Sequence, residues 1–217
     1  ARTTLAALEA TLARGADSTG RRLTDSERRD LQKDVAQRRN ELVQIARVRT
    51  VPPNLVFERS MSLDLGNRRV ELRDMGRANS PHDVVIWLPD ERVLFTGDIL
   101  VHPLPFTGGA SPLPWIDVLR EVEKYPVASL VPGHGPVMSD HRYTTLVRET
   151  FELVRAQIDS GFRAGYPLVQ IVPKVKLESQ RAKFVRVDGS VVSQAAWDSF
   201  TRTVAQFLGE CYQGYRC

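Results

Sequence analysis

The sequence predicts a layered α/β fold preceded by a helical hairpin. Three observations carry this reading. Leucines recur at helical spacing within the first fifty residues. Short alternating apolar runs fill residues 55–96, separated by turn residues. A strand–helix–strand order over residues 92–131 then leads into further helical patterns, which supply helices to cover a sheet.

Residues 3–14 place Leu5, Leu8 and Leu12 on one helical side, and Gly15 ends that helix. Thr24-Asp25-Ser26-Glu27 is a capping box. It opens a charged helix to about Arg47, with Leu31, Val35, Leu42 and Ile45 on one side; Pro52-Pro53 ends the hairpin. Leu55–Glu58, Met61–Leu65 and Arg69–Asp74 read as short strands, with Gly66-Asn67 as the turn between the last two. Val84–Leu88 is an apolar run bounded by Asp83 and Pro89, and Arg92–Thr96 is a strand ending at Gly97-Asp98. Residues 102–114, rich in proline and glycine, read as loop, and Trp115–Lys124 as a short helix. Val127–Val131 is a strand ending at Pro132-Gly133-His134-Gly135. Ser139 or Asp140 caps a helix to about Ser160; Val169–Pro173 fits either helix or strand; Ser193–Gly209 is an amphipathic helix. Trp87, Trp115 and Trp197 are expected in the core. The expected domains are a helical hairpin over 1–50 and an α/β part over 51–217.

Composition narrows the function classes. The chain has 217 residues, 42% hydrophobic and 26% charged, ordinary for a globular protein. No run approaches the roughly 18–20 apolar residues that span a bilayer, so no membrane partner is expected. The net charge is +4, but arginines alternate with acids and form no dense basic block, so no nucleic-acid partner is expected. Cys211 and Cys217 lie near the end. A terminal disulfide between them would fit an exported or periplasmic protein, and two free thiols are the alternative. The chain begins at Ala1 without an initiator Met, which reads as a processed or trimmed start.

Asp98 and His134 are the candidates for chemistry. Each follows a predicted strand at a glycine, and a carboxylate and an imidazole are metal-ligand types that can share one ion. The competing roles are a loop-capping Asp and a carbonyl-bonded loop His.

The run GRANSPHDVVIWLP, RVLFTGDILVHP and ASLVPGHGPV resembles the second half of the metallo-β-lactamase superfamily. The resemblance covers residues 55–137 and extends to the flanking helices. It implies a four-layer αββα sandwich, here its second half with flanking helices. It also implies a zinc-dependent hydrolase in which a metal-bound hydroxide attacks an ester, thioester, lactone or lactam. By the resemblance the bridging Asp falls on Asp98, which binds metal and takes part in catalysis. The last His ligand falls on His134. A loop His ligand falls on Asn79, a poorer donor, with His82 three residues on as a substitute. His102 borders the substrate cleft. An intact member holds two zinc ions and acts on a small-molecule substrate.

The family's His-x-His-x-Asp-His motif has no counterpart here, since all four histidines (His82, His102, His134 and His141) lie after residue 80. Three ligands and an open position are usual for a catalytic zinc, so this chain by itself is expected to hold metal weakly and to be inactive. The alternative expectation is a non-catalytic remnant of the fold acting as a binding or assembly module. In that case a homo-oligomer would cover the sheet face that half a sandwich leaves open.

Overall fold

A computed structural model describes residues 2–215, which fall into two compact units divided between Val56 and Phe57.

In the first unit α1 (Arg2–Arg14) and α2 (Asp25–Ile45) pack as a hairpin around Val35. The expected capping box is present: the Thr24 hydroxyl accepts from the Glu27 N–H, and the Glu27 carboxylate accepts from the Thr24 N–H at 2.8 Å. Arg39 of α2 pairs with Glu9 of α1 at 2.7 Å.

The second unit is built on a five-stranded sheet in the order β1–β2–β3–β4–β5. The strands are β1 (Ser60–Asp64), β2 (Arg69–Gly76), β3 (Asp83–Leu88), β4 (Val93–Val101) and β5 (Ser129–His134). The first three pairings are antiparallel. The last is parallel, with α3 (Pro112–Val122) as its crossover. The helices α4 (Arg142–Arg163), α5 (Leu168–Ile171), α6 (Glu178–Arg181) and α7 (Gln194–Tyr212) follow, with a 3₁₀ turn at Val172–Lys174. The loop reading of 102–114 gives way at Pro112, where α3 begins. Proline suits the first turn, whose N–H groups have no helical partner. The ambiguous segment after Pro167 is helical. Ser193 caps α7 as expected, its hydroxyl accepting from the Ala196 N–H. His141, rather than Ser139 or Asp140, sits at the cap of α4, while the Asp140 carboxylate accepts from the Arg142 N–H at 2.9 Å.

Alternation assigns the two faces of the sheet. Trp87, Leu94 and Leu130 are cross-strand neighbours and join one buried cluster with Trp115, Phe151, Trp197 and Phe200 of the helices. All three tryptophans are core residues. On the opposite face Met61, Leu72, Ile86, Phe95 and Val131 stand in one line across all five strands. Ile86 and Phe95 there are 36% and 39% exposed. A sheet with two apolar faces has the composition of one meant to be covered on both.

Two strand expectations change. Leu55–Glu58 forms no strand: Leu55 and Val56 are exposed and have no ladder partner. β4 does not stop at Thr96 but runs through Asp98 to Val101. It does so because two irregularities, between Phe95 and Gly97 and between Gly97 and Val101, keep it paired with β5. Cys211 is buried in α7, and Cys217 lies outside the described residues.

Candidate active site

Asp98 and His134 come together where β4 and β5 run parallel. His134 Nε2 stands 3.5 Å from Asp98 Oδ1, and the two side chains are 69% and 46% exposed. Two donors on one tetrahedral zinc, each at its usual bond length, stand about 3.3 Å apart, so the pair has the spacing of metal-ligand neighbours.

Glycines make the approach possible. Gly97 adopts φ +52°, a left-handed conformation that turns the strand just before Asp98. A Cβ on Gly133 would collide with Asp98 Oδ1 and would lie 2.7 Å from the Gly97 carbonyl carbon. Gly135, at φ +107°, faces His102 so closely that a Cβ would lie 2.6 Å from the His102 Cβ. The Gly-His-Gly sequence therefore reflects two close approaches, one on each side of the imidazole.

Helix side chains brace the segment beyond Asp98. The Trp115 indole donates to the Ile99 carbonyl at 3.2 Å, and the Tyr143 hydroxyl donates to the Val101 carbonyl at 2.6 Å. The His102 N–H donates to the His134 carbonyl at 3.0 Å, tying the two site loops together. The His102 ring lies against Tyr143, with centroids 5.2 Å apart, and burial pushes its pKa below the usual imidazole value.

Asn79 lies on the loop between β2 and β3. Its Nδ2 donates to the Phe106 carbonyl at 2.6 Å, and it shares no hydrogen bond with Asp98 or His134. His82 turns away and meets Asp74 at 3.2 Å. Asp83 organises this loop: its Oδ2 accepts from the Ala78 N–H at 3.1 Å and from the Ser80 N–H at 2.8 Å. Burial raises the Asp83 pKa against the lowering effect of those bonds. The sequence reading missed Asp83 and the Phe106 carbonyl. A signal for the first was present, since an Asp closing a Ser-Pro-His turn suits backbone N–H groups that a turn leaves unpaired. Among the described residues no group of three His, Cys, Asp or Glu side chains converges as a metal site. The residues present thus fit part of a metal shell and do not complete one.

Comparison with known proteins identifies the family of the fold. Residues 13–134, more than half of the chain, match the metallo-beta-lactamase superfamily, and the match ends on His134. The chain is 24% identical over 176 residues to a linear primary-alkylsulfatase of Pseudomonas sp. (strain ATCC 19151), covering 76% of this chain and 31% of the relative. It is 29% identical over 125 residues to a metallo-beta-lactamase type 2 of Bacteroides fragilis, covering 54% and 49%. This chain thus spans about a third and about half of the length of these relatives. Among solved structures, the stereoselective inverting sec-alkylsulfatase Pisa1 from Pseudomonas sp. superposes with a TM-score of 0.57 at 18% identity, over 76% of this chain and 27% of that one. The sheet, its strand order and the matched residues establish that this chain belongs to the metallo-β-lactamase superfamily.

Proposed function

We propose that this chain contributes Asp98 and His134 to the metal site of a hydrolase. The observation that carries the reading is their 3.5 Å approach, which the Gly97 and Gly133 backbones allow. Zinc fits a carboxylate–imidazole donor pair; when bound, it would polarise the scissile group and lower the pKa of a water molecule. The Asp98 carboxylate offsets cation charge and accepts hydrogen bonds from solvent. His134 donates through Nε2 on a loop held by the His102 N–H. His102 borders the cleft and contacts substrate. Asn79 lines it from the neighbouring loop, with its amide held by Phe106. The scissile bond belongs to an ester, thioester, lactone or lactam, or to a sulfate ester like that of the alkylsulfatase relatives. The remaining ligands come from a polypeptide segment outside this chain.

Metal content and hydrolysis of the full-length protein with Asp98→Ala and His134→Ala test the reading. Loss of zinc and of turnover in both variants is expected. Wild-type zinc content and turnover in both would remove these residues from the site.

A second reading rests on the apolar line Met61–Leu72–Ile86–Phe95–Val131. Here the chain is a non-catalytic module that covers this face by pairing with a second copy. Light scattering decides: a dimer that Ile86→Arg dissociates supports this reading, and a monomer over a wide concentration range counts against it.

A further inference from the structure

Phe106 is 63% exposed on the loop between β4 and α3. Scattered exposed apolar side chains are common and need no account. Phe106 differs in how it is held. Its neighbours Pro105 and Thr107 are buried, which anchors the backbone on both sides. Its carbonyl accepts from the Asn79 amide at 2.6 Å. A second bond, from the Ser111 N–H to the Ala78 carbonyl at 2.9 Å, joins the same two loops. The ring folds back over Gly108, where a Cβ would lie 2.9 Å from Cζ and 3.4 Å from Cε1. A residue larger than glycine there would push the ring away. The result is an aromatic face that is fixed from below and open to solvent above.

The chain also limits its distance from the site. His102 is bonded through its backbone to His134, and Phe106 is four residues further on. Four residues reach at most about 14 Å even when fully extended, so the backbone that carries the ring lies within that distance of His102.

We propose that Phe106 is a specificity-determining residue, its open face taking the apolar acyl or alkyl group of a substrate whose scissile bond lies at Asp98 and His134. This rests on the hydrolytic reading above and narrows its substrate class. A preorganised aromatic surface loses little freedom on binding, so its contact area converts efficiently into affinity. Asn79 acts here as a positioning residue, because its amide holds the carbonyl of the residue that carries the ring.

Two measurements test the proposal. The first needs no turnover. Trp87, Trp115 and Trp197 are buried, so Phe106→Trp introduces one exposed reporter. Octanoate should shift its emission to the blue saturably, and acetate at equal concentration should not. The absence of any shift with octanoate overturns the proposal. The second uses the zinc-loaded full-length protein. In Phe106→Ala, kcat/KM for an octanoate ester should fall about tenfold more than for the matching acetate ester, chiefly through KM. Asn79→Ala should reproduce part of that change. An equal fall for both esters overturns the proposal. A blue shift in a protein that hydrolyses no ester, thioester, lactone, lactam or sulfate ester would retain the apolar contact and reject the hydrolytic reading.

Discussion

Gly133 and Asp98 belong to different strands, yet the Gly133 α-carbon faces the Asp98 carboxylate so closely that a methyl group could not fit between them. The strand pairing sets this approach, since Gly97 is the register partner of Pro132. A larger residue at position 133 must push β5 away from β4 or turn the carboxylate aside.

Gly133→Ala should therefore destabilise the second unit by roughly 1–3 kcal/mol, the usual cost of inserting a methyl group into a filled space. Thermal unfolding monitored in the near ultraviolet measures it. An unchanged midpoint would show that the carboxylate simply rotates away, and metal affinity should then fall without loss of stability.

Asp83 holds the Asn79 loop through two backbone N–H groups. Asp83→Ala leaves those donors unpaired and should cost about 1–3 kcal/mol, whereas Asp83→Asn keeps an acceptor and should cost less. The pH dependence follows from the raised pKa. In the folded state the carboxyl holds its proton above 3.8, the ordinary value. The unfolded state has already released it there, so the folded state binds more protons. The contribution of Asp83 is then full below 3.8 and declines as pH rises through the raised value. Denaturant midpoints from pH 3 to pH 7 should show the wild type losing stability relative to Asp83→Asn across that window.

Tyr143→Phe removes the hydroxyl that donates to the Val101 carbonyl. The half-buried carbonyl loses its partner at a cost of about 1–2 kcal/mol. Hydrogen exchange should rise at Ile99–His102 more than at Val93–Leu94, because the lost bond braces only the end of β4 beyond Asp98. A uniform rise along β4 would assign Tyr143 to general packing.

The first unit should be acid-sensitive. Bonds from Arg21 and from the Thr24 backbone and hydroxyl hold Glu27 down at about 2, below its ordinary 4.5. A lowered acid pKa stabilises above the unfolded value, and that support is lost as pH falls from 4.5 towards 2. Thr24→Ala should cost about 1 kcal/mol of helix stability and shrink this acid transition only in part, because the larger contribution from Arg21 and the Thr24 backbone bond remain. Circular dichroism of the 1–56 segment reads both effects.

Features that depend on neighbouring residues are legible along the chain. The hairpin helices, the capping box at Thr24 and the periodicity of β1 to β3 follow from spacing of a few residues, and the structure contains them as expected. Leu55–Glu58 forms no strand because local apolar alternation does not supply a ladder partner. The FTGD and PGHG segments marked two candidate ligands. Their 3.5 Å approach across β4 and β5 is a fact of tertiary structure, because it arises from pairing between strands about thirty-five residues apart and from glycines that let two backbones nearly touch. Asp83, Tyr143 and the Phe106 carbonyl acquired their roles in the same way. A hydrogen-bond partner 27 or 42 residues away is chosen by the packing of elements and not by any pattern along the chain.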